Sequence, residues 1–165
     1  MDSSTIVIGG IIVLFVITLY VLIINSKKRK ETQFLQPLRQ LAEKDNCKIS
    51  QYDIWNNSVI GIDATQNMVF AIRRTKEKET SIVVNLAEIF RCKVAEISRT
   101  SGPKEGNIKA FDRIDLVFTN KDKSKVDVVV EFYNANTDRL TLTGELQLAE
   151  KWCVLVNNKA ASLSK

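Results

Sequence analysis

The sequence predicts an α+β protein. It begins with one N-terminal transmembrane helix and a juxtamembrane helix, followed by a bent antiparallel sheet or barrel of about seven strands, closed by a C-terminal amphipathic helix. Three observations predict this. The first 26 of 165 residues hold an uncharged apolar run, apolar and polar residues alternate through the middle of the chain, and helical spacing returns near its end. The organisation expected is an extracytoplasmic N-terminus and anchor at 1–26, a basic juxtamembrane segment and helix at 27–46, and a folded domain at 47–165.

The anchor is read from Ile6–Ile24. Its 19 residues carry no charge, and 15 of them are Ile, Val, Leu or Phe. As a helix it would span about 28 Å, close to the ~30 Å hydrocarbon core of a bilayer. A cleaved signal peptide fits less well. The preceding residues contain no Lys or Arg, the apolar run exceeds the usual length, and Asn25-Ser26-Lys27 offers no small-residue cleavage pattern. Lys27, Lys28, Arg29 and Lys30 follow directly. By the positive-inside rule this predicts a single-pass protein of the cell (inner) membrane, with the N-terminus outside and residues 27–165 in the cytoplasm. The same four charges would attract anionic lipid.

Phe34, Leu38 and Leu41, with Leu35 and Ala42 beside them, make one apolar helical face before Asn46. Pro37 interrupts it by removing a backbone donor. From Cys47 the period changes to two. Strands are expected around Lys48–Trp55, at Val59–Asp63 and Met68–Arg73, and at Ser81–Leu86, Arg91–Ser98, Ile114–Thr119 and Val126–Phe132. Ser101–Asn107 has the composition of a loop. The closing helix shows Leu148, Trp152 and Leu155 at i, i+4 and i+7, widened by Ala149, Cys153 and Val156, with Thr143 available as a cap and Glu145 in the first turn.

These elements resemble the pleckstrin-homology-like (PH-like) domains of bacteria. The resemblance lies in Gly61–Arg74 and Ser81–Ile97, where Leu86-Ala87-Glu88-Ile89 forms a Leu-x-x-Ile turn, and in Gly144–Asn158 as the closing helix with a central Trp. The whole chain is similar to a set of uncharacterised bacterial single-pass membrane proteins with a cytoplasmic PH-like part. The resemblance implies a binding module. Lipid-binding members hold a headgroup with basic residues around the loop joining their first two strands. Here that loop, Asp63–Asn67 or Asn56–Ser58 according to the register, contains neither Lys nor Arg.

No catalytic set is expected, and no cofactor or metal. The chain has no His, which excludes His-based acid–base chemistry and His metal sites. Cys47, Cys92 and Cys153 are 45 and 61 residues apart, so no C-x-x-C motif exists and each reads as a free core thiol. The six glycines build no phosphate loop. Residues 31–165 carry a net charge of only +2, too little for a nucleic-acid face. Arg73, Arg74, Lys76 and Lys78, interleaved with Glu77 and Glu79, read as a solvated hairpin tip. Asp112, Asp115, Asp127 and Glu131 read as outward positions with cross-strand Lys partners. Trp55 and Trp152 read as core anchors. The function expected is a membrane-anchored, non-enzymatic cytoplasmic module engaging a protein partner. The alternative is direct binding of anionic lipid headgroups through Lys27–Lys30 and the domain face. A protein partner would use an exposed sheet edge or apolar groove, a lipid a one-sided basic surface, and an enzyme a deep pocket with converging polar groups.

Overall fold

The computed structural model describes residues 14–20, 31–100, 109–138 and 141–163. The chain divides into two compact units, Met1–Pro37 and Leu38–Lys165. In the first unit, residues 14–20 and 31–37 are helical.

The transmembrane expectation is corrected here. Among the described residues no helix is long and apolar enough to cross a membrane. Residues 14–20 are the described part of the apolar run, and the rest of Ile6–Ile24 lies outside the described residues. The single-pass anchor and the inner-membrane placement with a cytoplasmic domain, which rested on that run, are not supported.

The second unit opens with helical residues 38–43. Asn46, at φ 54°, ends this turn, and the Cys47 amide donates to the Ala42 carbonyl at 2.9 Å. Four antiparallel strands follow as a meander: β1 (Gln51–Trp55), β2 (Ser58–Asp63), β3 (Met68–Arg74) and β4 (Glu79–Asn85). Their turns are built by side chains suited to them. Asn56 takes a positive φ in the two-residue β1–β2 connection. Asp63 Oδ1 accepts from the Thr65 and Gln66 amides at 2.8 and 2.9 Å, bending the β2–β3 turn. A single 3-10 turn, Leu86–Glu88, is capped by Asn85 and turns the chain out of the first sheet. The second sheet is the meander β5 (Ile89–Thr100), β6 (Lys109–Asn120) and β7 (Val128–Asn134). The last element is a helix, Glu145–Ser162.

The bent single sheet or barrel is likewise corrected. The described residues form two antiparallel sheets, ordered β1-β2-β3-β4 and β5-β6-β7, which do not close on each other. Alternation of period two marks which residues are strands and which face they share. It carries no information on whether the last strand of one meander pairs with the first strand of the next.

The core lies between the sheets and the C-terminal helix. Ile60, Val69, Leu86, Leu116, Phe118 and Phe132 are among its fully or almost fully buried side chains. Trp152 has no exposed surface, and its indole Nε1 donates to Asp53 Oδ2 at 2.9 Å. Trp55 is also buried, stacks on Phe132 with centroids 4.3 Å apart, and donates to the Phe132 carbonyl at 2.8 Å. The helix's buried stripe is Glu145, Ala149, Trp152, Val156 and Ala160, and Leu148 and Leu155 flank it half-buried. The expected Thr143 cap is not made. Gly144 takes the N-cap position at φ 118°, and Thr143 instead donates to the Glu145 carboxylate.

Gly61 shows how closely residues 38–43 approach the sheet. A Cβ there would sit 2.8 Å from Leu38 Cδ2, 2.9 Å from Ile49 Cγ2 and 3.2 Å from the Gln51 carbonyl oxygen. Gly61→Ala is expected to cost about 1–3 kcal/mol by overpacking a filled interior. Urea denaturation of the full chain checks this, and an unchanged midpoint would mean that Leu38 is free to move away.

Candidate functional site in the gap between the sheets

Two open sheets leave four edge strands, and two of them, β4 and β7, concern the site. Among the described residues β4 and β7 each have one paired neighbour, β3 and β6. The two edges flank one gap. Toward one end is a cleft of about 380 Å³, lined by Thr80 and Ile82 from β4, Val129 and Glu131 from β7, and by Trp55 and Arg73. Toward the other is a hollow of about 330 Å³, lined by Val83 and Asn85 from β4 and by Val126 and Val128. The β4 numbers rise along the gap while the β7 numbers fall. The edges therefore run in opposite directions, and a strand laid between them would be antiparallel to one and parallel to the other.

The edges themselves are apolar. In β4, Thr80, Ile82 and Val84 alternate with the more exposed Glu79, Ser81, Val83 and Asn85. Val83, Val129 and Val126 keep 39%, 37% and 88% of their surfaces exposed. Ser81 to Asn85 contains no charge, Gly or Pro, and β4 keeps register with β3 through all its residues. Such an edge lacks the devices that normally discourage strand pairing. The other two outer strands carry them. On β1, Asp53 accepts from Lys151 Nζ at 2.7 Å. On β5 the ladder shifts register twice, and Asn157 of the C-terminal helix takes both the amide and the carbonyl of Cys92, at 2.8 and 2.9 Å.

A cluster of charges closes the cleft end. Arg73 projects from β3, and its Nη2 lies 2.9 Å from both Glu131 Oε1 and Asp138 Oδ2. It also donates to Thr137 Oγ1 at 3.2 Å. Arg73 Nε is buried without a hydrogen-bond partner. Arg113 Nε holds Asp115 at 2.9 and 2.7 Å and lies 3.5 Å from Glu131 Oε2. The β6–β7 register sets Asp115 directly opposite Glu131, an arrangement of like charges that needs cations to be tolerated. Burial pushes the Asp115 carboxyl above its usual range, against the pull of Arg113, while Asp115 raises the Arg113 guanidinium. These acids and arginines answer one another. They tie β3 of one sheet to β7 of the other and to the segment after β7.

Two expectations about this region are corrected. Arg73 is not part of a solvated tip: its side chain is 11% exposed and faces the gap, whereas Arg74 pairs with Glu79. Asp115 and Glu131 do not point to solvent with Lys partners, and arginines hold both. Parity along β3 carries the signal for Arg73. Val69 and Ala71 belong to the core, so position 73 shares their inward face. Asp127 is bonded by Thr119 at 3.1 Å, and Asp112 is held by Arg99 at 2.7 Å. Lys27, Lys28, Arg29 and Lys30 lie outside the described residues, as does the Ser101–Asn107 loop. Leu148, Trp152 and Leu155 sit on the helix away from the gap lining.

Chemically, the gap offers backbone hydrogen-bonding edges, valine side chains and one buried unpaired N–H. Among the described residues no three Cys, Asp or Glu side chains come together as a metal site. No protein-family model, curated protein or solved structure matches this chain.

Proposed function

We propose that this chain is a non-enzymatic binding module that takes an extended segment of a protein partner into the gap between β4 and β7. The observation that carries this reading is the β4 edge: regular, uncharged from Ser81 to Asn85 and, among the described residues, unpaired on its outer side. An added strand gains main-chain hydrogen bonds from such an edge and side-chain selectivity from the valines beside it. Beyond the charge cluster, Arg74 pairs with Glu79 and Lys125 with Glu88, and the remaining charges of the cleft lining, Glu77 and Lys78, are adjacent and opposite in sign. That balance favours an uncharged, β-branched segment over an acidic or a basic one. It supports the anionic-lipid alternative less, since a headgroup needs cations that are not already matched.

The test is selection of linear peptides from a displayed random library on the full chain, with Val83→Lys as the comparison. Val83 is more than a third exposed, so the added charge guards the edge at little cost to the fold. Selected peptides should lose at least about tenfold in affinity on Val83→Lys, about 1.4 kcal/mol. Amide signals of Thr80–Asn85 and Val128–Glu131 should shift on binding. Peptides that bind both proteins equally would place the site elsewhere. Tight, salt-resistant, headgroup-selective co-sedimentation with anionic vesicles would replace the reading with a lipid receptor.

A further inference from the structure

Cys92 lies on β5 and Cys153 on the helix that covers it, 61 residues later. The Cys153 thiol donates to the Cys92 carbonyl at 3.3 Å. After burial, the neighbouring Cys153 thiol also pushes the Cys92 thiol up. Asn157, one helical turn after Cys153, fixes the geometry. Its Oδ1 accepts from the Cys92 amide, and its Nδ2 donates to the Cys92 carbonyl and, at 3.5 Å, to Cys153 Sγ. Side chain and strand are thus clamped with the Cys153 sulfur against the backbone of Cys92. Both thiols are free, and Cys92 is buried while Cys153 is half-buried.

We propose that Cys92 and Cys153 are an oxidation site, closed by hydroperoxides into a disulfide that staples the C-terminal helix to β5. The exposure difference sets the order of events. Cys153 meets the oxidant first: its sulfur attacks one peroxide oxygen, the O–O bond breaks, and the other oxygen leaves as water or an alcohol with the thiol proton. Cys153 is then a sulfenic acid. The Cys92 sulfur attacks the Cys153 sulfur, the S–S bond forms, the S–O bond breaks, and the Cys92 proton leaves with the hydroxyl as water. Two thiols are oxidised by two electrons and one hydroperoxide is reduced. Burial pushes the Cys92 thiol well above its ordinary range, so it is not the sulfur that meets the oxidant first. The remaining cysteine, Cys47, donates to the Asp45 carbonyl in the segment before β1 and takes no part.

The bond would close a long loop, so the oxidised chain should be more resistant to unfolding. The test treats the full chain with hydrogen peroxide in a Cys47→Ser background. Both remaining thiols should disappear together, with a mass two hydrogens lower and a mapped Cys92–Cys153 link. The melting temperature should rise by on the order of 10 °C and return on reduction. Cys153→Ser and Cys92→Ala should each abolish the link in chains whose circular dichroism is unchanged. If Cys47→Ser folds poorly, peptide mapping of the oxidised wild-type chain identifies the linked pair directly. Accumulation of sulfenic or sulfinic Cys153 without a link, or linkage through Cys47 or between chains, would overturn the proposal.

Discussion

Trp152→Ala is expected to remove about 3–5 kcal/mol of stability, a large share of the roughly 5–15 kcal/mol that a domain has. The ring is fully buried in the stripe that the C-terminal helix sets against β5, β6 and β7. Helices of this length are held by tertiary packing more than by propensity, so losing the central knob loosens the whole element. Equilibrium denaturation in urea checks it, as a midpoint that falls with little change in slope. The indole also donates to Asp53 Oδ2, which Lys151 shares. Trp152→Phe separates the two contributions. It keeps most of the apolar bulk and loses a hydrogen bond to a charged group, about 1.5–3 kcal/mol. A melting change below about 2 °C for Trp152→Ala would show that the helix is not anchored by this residue.

How far the sequence could be read depended on whether a feature is local. Each strand from β1 to β7 overlaps a segment that alternation marks, because the period is a property of consecutive residues, though β6 begins five residues before Ile114 and β7 ends two after Phe132. The closing helix was legible for the same reason, and Trp152 was picked out as its anchor. Three things were not legible. Whether the two meanders share a sheet depends on pairing between distant segments. The cap of the last helix went to Gly144, whose φ of 118° few other residues adopt, and Glu145, in the first turn as expected, is buried and bonded by Thr143 and Asn56. The partners of Arg73 lie 58 and 65 residues away along the chain, beyond any local pattern. The run Ile6–Ile24 has the composition of a membrane helix, yet among the described residues no helix has the length and apolarity to cross.

Arg73→Met is the second large effect expected, a loss of about 3–5 kcal/mol if both carboxylates that face the guanidinium are stranded. Glu131 and Asp138 are 20% and 13% exposed, so water restores little of what the arginine supplied. The loss should fall toward the lower bound, because Glu131 retains Arg113 and Asn134, and Asp138 retains the Asn134 amide. Neutralising the acids separates charge from packing. Adding Glu131→Gln and Asp138→Asn to Arg73→Met should recover most of the loss, since a cluster replaced as a whole leaves no unpaired buried charge. Arg73 also spans the sheets at one end of the gap, so its removal should weaken peptide binding at temperatures where the variant is still folded. That second readout matters, because a merely destabilised chain would bind normally in the cold. A loss under about 1 kcal/mol would mean that the cluster is solvated enough to be dispensable. Normal cold binding by a destabilised variant would confine Arg73 to stability and leave the β4 edge to hold a partner without it.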